Sequence, residues 1–382
     1  MEKVKLGDVC EIINGYAFKS NLYEENGIRI IRITNVQKGY IEDTEPKFYN
    51  LNLKRELNKY MLYEKDLLIS LTGNVGRVGI LKKEMLPAAL NQRVGCIRVL
   101  NKSRLDKNYL FNVLNNKLFE NECINNSKGI AQKNLSTEWL KEYKINLPSL
   151  EEQKNIANKL DKVQKIIDIR KKQIEELDKL IKSQFVEMFD LENYKEKSLR
   201  ETSNFIDYRG HTPVVSETGN IRMINAKSVG KGYFKYIDEY ITEELYNEWM
   251  HRGFAYAGDV LFVTEGHTFG NTCLIPDDIE KFGLGQRVIT IQSKSELNNI
   301  YLCYYMQLDE FINKINMYKT GGTAQGIRSK DLLKITIPIA PIELQNKFAK
   351  IYKQIDKQKL EIQKSLKEME ELKESLMNKY FK

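Results

Sequence analysis

Gly27-Ile28-Arg29-Ile30-Ile31 returns further along the chain as Gly219-Asn220-Ile221-Arg222-Met223-Ile224, with one residue inserted. Outward from this pair, Lys38-Gly39-Tyr40 recurs as Lys231-Gly232-Tyr233, Asp66-Leu67-Leu68 as Asp259-Val260-Leu261, and Gln92-Arg93-Val94 as Gln286-Arg287-Val288. Gly129-Ile130-Ala131-Gln132 matches Gly322-Thr323-Ala324-Gln325. The offset stays between 192 (Gly27 to Gly219) and 194 (Gln92 to Gln286), so residues 6–189 and 199–381 align end to end. A solenoid unit is only about 20 to 50 residues long, so this is a duplicated domain. Two similar modules on one chain point to two similar binding events at a fixed separation.

At 382 residues the chain has room for two or three domains, each with its own core. A hydrophobic share of 42% and a charged share of 29% are those of a soluble globular protein. No apolar run is long enough to span a membrane, and Met1 to Asn14 lacks the apolar centre of a signal peptide. The cysteines Cys10, Cys96, Cys123, Cys273 and Cys303 are odd in number and widely spread, which predicts free thiols in a reducing cytoplasm. A net charge of +8 favours a polyanionic partner, but weakly, because much of the lysine sits among glutamates in two helical segments.

In the first module Ile28–Thr34, Asp66–Leu71, Val78–Leu81 and Arg93–Val99 read as strands. The loop Thr72-Gly73-Asn74-Val75-Gly76-Arg77 has glycines that permit positive φ and a close approach of backbone to a ligand. Asn108–Asn125 carries apolar residues at helical spacing, Ser136 caps a short helix, and Tyr143–Leu147 is a last strand ending at Pro148. The second module repeats this order from Leu199 to Pro338, giving an α+β fold of two tandem mixed α/β domains.

Each module closes on a seam of alternating four-three spacing: Leu160, Val163, Ile167, Ile174, Leu177, Ile181 and Met188, then Phe348, Tyr352, Ile355, Ile362, Leu366, Met369, Leu376 and Tyr380. Polar residues interrupt it at Arg170, Gln184, Lys359 and Lys373, where they can set pairing register. Neither segment contains Gly or Pro from 151 to 189 or from 343 to 381, so each predicts an unbroken helix of roughly 55–60 Å. The two helices are expected to pair antiparallel as an intramolecular coiled coil with pseudo-two-fold symmetry, a ruler between the modules. Packing of each helix on its own module, or dimerisation, are the alternatives. The expected division is 1–148 and 191–340 for the two modules, with 149–190 and 341–382 for the helical spacers.

No phosphate-binding loop and no dinucleotide fingerprint is present. His211, His251 and His267 all fall in the second module, so chemistry shared by both modules cannot depend on them. Asp66 and Asp259 occupy equivalent positions and read as residues closing a turn before a strand, not as a metal pair. What remains is a binding chemistry, with no metal and no catalytic residue. The candidate DNA-contacting residues are Arg29, Arg32, Asn35, Gln37, Thr72, Asn74, Arg77, Gln132 and Lys133 in the first module. In the second they are Arg209, Arg222, Asn225, Lys227, Thr264, His267, Thr268, Asn271, Gln325 and Arg328. Arg and Lys suit guanine O6 and N7, Asn and Gln suit adenine N6 and N7, and all of them hold phosphates. For Gln92-Arg93 and Gln286-Arg287, at strand starts, a structural role is at least as well supported. The framework repeats while the loops diverge, as two modules reading different short sequences need, and as drift after duplication also gives.

In this order and repetition the chain resembles the specificity subunit of a type I restriction–modification system. The resemblance rests on Asp66-Leu67-Leu68-Ile69-Ser70-Leu71-Thr72-Gly73-Asn74-Val75-Gly76 followed by Asn91-Gln92-Arg93, and on Gly129-Ile130-Ala131-Gln132-Lys133-Asn134-Leu135-Ser136. It rests also on Leu147-Pro148-Ser149-Leu150-Glu151-Glu152-Gln153 leading into the helix. The second copy departs at Pro341-Ile342-Glu343-Leu344-Gln345, which lacks an acid immediately before the glutamine. The resemblance implies two target-recognition domains and a non-catalytic reader of a bipartite, asymmetric double-stranded DNA site. It also implies docking of two methyltransferase subunits and, optionally, motor–nuclease subunits. S-adenosylmethionine, ATP and Mg would then belong to those partners and not to this chain. The competing readings are a stand-alone DNA-binding regulatory protein and a coiled-coil interaction scaffold.

Overall fold

The computed structural model describes residues 2–129, 133–208, 213–320 and 325–381. They fall into two compact units, Met1–Lys172 with Gln363–Lys382, and Gln173–Ile362.

In the first unit the elements run β1 (Glu2–Lys5), α1 (Leu6–Val9), β2 (Cys10–Asn14), β3 (Ile28–Ile31), β4 (Phe48–Tyr49), β5 (Met61–Leu62), β6 (Leu67–Ser70), β7 (Val78–Ile80), β8 (Ala88–Leu90) and β9 (Val94–Val99). There follow α2 (Lys107–Leu114), α3 (Lys117–Asn125), α4 (Thr137–Glu142), β10 (Lys144–Leu147) and α5 (Leu150–Met188). One antiparallel sheet has the order β2-β9-β6-β7; a second, β4-β3-β8-β5, contains the parallel pair β3/β8; β1 pairs with β10. Strand β6 is buried on both faces, which explains its unbroken apolar run. Leu67 and Ile69 point into a core shared with Tyr109, Leu110 and Phe119 of α2 and α3. Leu68, of opposite parity, points into a second core with Ile31 and Leu90 from the other sheet.

The second unit repeats this plan with β11 (Glu196–Ser198), α6 (Leu199–Thr202), β12 (Ser203–Asp207), β13 (Ile221–Ile224), β14 (Tyr240–Ile241), α7 (Glu243–Trp249), β15 (Val260–Val263), β16 (Thr272–Leu274), β17 (Phe282–Leu284) and β18 (Val288–Ser293). It continues through α8 (Asn299–Tyr305), α9 (Asp309–Met317), α10 (Ser329–Leu332), β19 (Thr336–Pro338) and α11 (Ile342–Phe381). Its sheets are β12-β18-β15-β16, β14-β13-β17 with a parallel β13/β17 pair, and β11-β19. Among the described residues β5 has no counterpart, and the second unit instead carries α7 ahead of the corresponding stretch.

Each unit contains one half of an antiparallel helix pair. In the first, Lys373 of α11 donates to the Gln164 amide oxygen of α5, and Lys171 pairs with Glu370 at 3.1 Å. The index falls on one helix as it rises on the other. In the second, Lys359 pairs with Asp178 at 2.5 Å, and the rings of Phe185 and Phe348 lie 5.2 Å apart. Every residue of the expected seam is buried or half-buried, and the interrupting Lys359 and Lys373 occupy seam positions with partners across the pair. Phe185, beside Gln184, is a further seam residue and is almost fully buried.

Two expected elements are shorter than their sequence runs. Ile28–Thr34 is a strand only to Ile31, because Arg32–Asn35 closes a tight turn in which the Asn35 side chain accepts from the Arg32 amide at 2.9 Å. Asn108–Asn125 divides into α2 and α3, because the Asn116 side chain caps the second helix by accepting from Phe119 N at 2.8 Å. All five cysteines are buried and free. Burial pushes the thiols of Cys10, Cys123 and Cys303 up to about 12, so none of these three is poised as a nucleophile. No helix among the described residues is long and apolar enough to cross a membrane.

Candidate nucleic-acid interface

The glycine loop after β6 folds on its own strand. Ser70 N donates to Arg77 O at 2.9 Å, Gly76 N to Ser70 O at 3.0 Å, and the Ser70 hydroxyl to Asn74 O at 2.5 Å. Gly73 and Gly76 take φ of +67° and +83°, the left-handed region that the sequence anticipates for them. The turn before α4 is stitched to this loop: Gly73 N donates to Lys133 O at 2.9 Å and Leu135 N to Leu71 O at 2.8 Å. Arg93 O anchors the base by accepting from Leu71 N at 3.0 Å. Loop and turn therefore form one composite tip.

The second module builds the same tip. Gly266 N donates to Gln325 O at 3.0 Å, Ile327 N to Thr264 O at 2.9 Å, and Thr264 N to Arg287 O at 2.9 Å. Gly266 and Gly270 have φ of +94° and +82°. The frame is conserved between the two modules and the side chains on it are not. By sequence position Asn74 corresponds to His267 and Arg77 to Asn271; by its backbone bond Lys133 corresponds to Gln325, one residue off the sequence match of Gln132 with Gln325.

The candidates divide sharply. Thr72, Asn74, Arg77 and Lys133 come together at the first tip, and His267, Thr268, Asn271 and Gln325 at the second. Gln132 and Arg209 lie outside the described residues. Thr264 is fully buried beneath its loop.

Arg29 and Arg222 are engaged elsewhere. Arg29 pairs with Asp43, donates to Met85 O at 3.3 Å and covers the Phe48 ring. Arg222 donates to Ile237 O and to the Tyr240 hydroxyl at 2.8 Å. Each guanidinium ties its strand to the long connection between β3 and β4 or between β13 and β14. Arg32 donates to Glu45 O at 2.8 Å, and buried Asn35 donates to Glu42 O at 3.0 Å. Asn225 and Lys227 both donate to Glu239, at 2.6 and 2.5 Å, and the Lys227 ammonium first, with the Asn225 amide behind it, holds the Glu239 carboxyl below its ordinary range. Arg328 pairs with Asp331 at 2.7 Å at the start of α10.

Two features lie outside the candidate set. Tyr40 and Tyr233, from the repeated Lys-Gly-Tyr, are exposed at equivalent turns, which Gly39 N and Gly232 N fasten to Val78 O and Thr272 O. Their recurrence was the available signal. Arg93 and Arg287 are exposed at the tip's base, Arg287 pairing with Glu265 at 2.9 Å. Asp66 and Asp259 do close turns, accepting from Tyr63 N and Tyr256 N at 2.8 and 2.9 Å. Buried Asp66 is neutralised by Arg98 at 2.7 Å, whereas Asp259 accepts from the Gln292 amide at 2.7 Å.

The model of the type I restriction modification DNA specificity domain matches residues 1–179 and again 190–374. The type I restriction enzyme MjaVIII specificity subunit of Methanocaldococcus jannaschii is 33% identical over 182 residues, 47% of this chain and 43% of its own length. The putative MjaX specificity subunit of the same organism is 27% identical over 400 residues, 98% of this chain and 91% of its own. The Escherichia coli EcoBI specificity subunit is 31% identical over 183 residues, 47% of this chain and 36% of its own. The chain thus spans under half the length of the MjaVIII and EcoBI relatives in those matches. Among solved structures, the type I restriction–modification S subunit from M. genitalium superposes with a TM-score of 0.66 at 17% identity, covering 100% of this chain and 96% of that one. A structure describing assembly and conformational transition of the type I system gives 0.56 at 17% identity, covering 100% and 97%. At that identity the likeness is one of fold.

Proposed function

Because the chain belongs to the type I restriction modification DNA specificity family, whose model matches both modules, we propose that it is the DNA-reading, non-catalytic subunit of a type I restriction–modification complex. It reads a bipartite, asymmetric duplex site, one half-site per module. The observation that carries this reading is the pair of composite tips: one backbone frame, made twice by the same hydrogen bonds, bearing different side chains. Such a frame presents amide and guanidinium groups to base edges while its backbone amides approach phosphates.

In this reading two methyltransferase subunits, and optionally motor–nuclease subunits, dock on the chain in the cytoplasm. S-adenosylmethionine, ATP and Mg act in those partners. The paired helices, 39 and 40 residues long, set the unread gap. Removing one heptad from each shortens them by about 10 Å, or about three base pairs.

The test is a methylation map of DNA from cells that express the chain with its methyltransferase, against cells lacking only this chain. Loss of a gapped, asymmetric motif supports the reading; an unchanged map with all proteins present refutes it. In vitro, about six neutralised phosphates would cost roughly a thousandfold in affinity between 50 and 200 mM salt. A protein-binding scaffold would show no such dependence on DNA.

A further inference from the structure

Arg77 and Asn271 stand at the same place on the two tips, each directly after the second loop glycine, Gly76 or Gly270, at φ of +83° and +82°. The next residue in each accepts the same backbone bond, Gly39 N to Val78 O at 2.8 Å and Gly232 N to Thr272 O at 2.9 Å. Both side chains are held by the segment that follows the first strand of the parallel pair, β3 or β13. Arg77 donates through Nη1 to the Gln37 amide oxygen at 2.9 Å. Asn271 donates through Nδ2 to Val229 O at 3.2 Å.

Gln37 is itself oriented. Its Nε2 donates to Thr34 O at 3.0 Å and to the Glu42 carboxylate at 3.3 Å, so its oxygen is the end that must face Arg77. The bond to Gln37 engages one of the five N–H donors on the guanidinium. The remaining fork is the group that pairs with O6 and N7 of guanine. For Asn271, the bond to Val229 leaves the carbonyl oxygen and one amide hydrogen, the two groups that pair with N6 and N7 of adenine. The other arginines of the candidate set that the structure describes in the β-sheet frame, Arg29 and Arg222, have their forks committed to Asp43, Ile237 and Tyr240.

We propose that positions 77 and 271 are the corresponding base-reading positions of the two modules, Arg77 taking a guanine in one half-site and Asn271 an adenine in the other, with Gln37 as the positioning residue for Arg77. This rests on the DNA-reading function proposed above and states which residues make the two half-sites differ. A good bidentate contact discriminates against the wrong base by roughly 5- to 150-fold.

The experiment selects bound duplexes from a randomised pool at one salt concentration, using the full chain and its variants. Arg77→Asn is expected to shift one guanine to adenine in one half-site and leave the other half-site intact; Asn271→Arg should do the reverse in the other. Arg77→Lys, which keeps the charge and loses the fork, should weaken preference at that same base by roughly 5-fold or more. Gln37→Leu should relax the preference at that base alone; a merely structural Gln37 would lower affinity evenly across all bases. Unchanged preference in folded Arg77→Lys and Gln37→Leu, or even loss at every base, overturns the inference while leaving the DNA-reading function standing. A parent chain that selects no sequence overturns both.

Discussion

Replacing Gln153 with leucine keeps the side-chain volume close to the original and removes three hydrogen bonds at the base of the first helix. Gln153 is 0% exposed. Its Nε2 donates to Arg104 O at 3.0 Å and Pro148 O at 2.9 Å, and its oxygen accepts from Asp106 N at 2.8 Å. One residue thus joins the strand end, the start of α5 and the residue that caps α2 through Tyr109 N. Each lost bond is worth about 1 kcal/mol net, and the stranded Asp106 amide adds a desolvation cost of about 1–3 kcal/mol. The sum is a destabilisation of about 4–6 kcal/mol. The second unit provides an internal replicate. Gln345, also 0% exposed, donates to Glu296 O at 3.1 Å and Ala340 O at 2.7 Å and accepts from Asn298 N at 2.8 Å. The chain's two tryptophans separate the readouts, Trp139 lying in the first unit and Trp249 in the second. Urea titrations followed by fluorescence, in backgrounds carrying Trp249→Phe or Trp139→Phe, should show Gln153→Leu lowering the Trp139 transition and Gln345→Leu the Trp249 transition. A loss under 1 kcal/mol in either variant would refute the argument.

Arg98→Leu strands the nearly buried Asp66 carboxylate and should cost about 3 kcal/mol in the same titration; Arg98→Gln, which copies Gln292 of the second module, should recover most of it. Gly73→Ala meets nothing within 4 Å and should cost only the left-handed strain of about 1 kcal/mol, whereas Gly76→Ala places a Cβ 2.7 Å from that of Cys123 and should cost about 3 kcal/mol by thermal melting. Lys314, then the Thr336 hydroxyl, holds the Glu196 carboxyl below its ordinary 4.5. A depressed folded value means the contribution is fully present above pH 4.5 and fades as pH falls through the folded value; Lys314→Met should therefore flatten the acid limb of stability against pH, and an unchanged limb would contradict the assignment.

The sequence displayed whatever local burial dictates. Strand β6 was legible because Leu67, Leu68 and Ile69 are all apolar, and the helix seam because its period survives the lysines at 359 and 373. Strand β1 was not: Glu2-Lys3-Val4-Lys5 has one apolar residue, and its pairing to Lys144–Leu147 spans most of the module. Strand β8, Ala88-Ala89-Leu90, has little β propensity and owes its form to lying between β3 and β5. The second copy departs in lacking the acid before Gln345, yet the glutamine itself makes the same three bonds as Gln153; the acid, Glu152, only caps Ser149 locally. At the tips, the glycines announced the loop, and Asn74, Arg77 and Lys133 gather there. Arg29, Arg222 and Asn35 were indistinguishable in sequence from surface readers, because their partners Asp43, Tyr240 and Glu42 are supplied by later residues that return to β3, β13 and the turn after them.

The first unit is assembled from two separated stretches, Met1–Lys172 and Gln363–Lys382, whereas the second is a single run, Gln173–Ile362. During synthesis the seam residues Leu160, Val163 and Ile167 emerge early, but Leu366, Met369 and Leu376, which cover them, emerge last. The intervening run, Gln173–Ile362, takes roughly 10 to 40 s at ~5–20 residues per second. Through that interval the older module carries an uncovered apolar helix face while the younger one can already close. The half that is translated first is therefore the half that finishes folding last, and chain loss at the far end would fall on it.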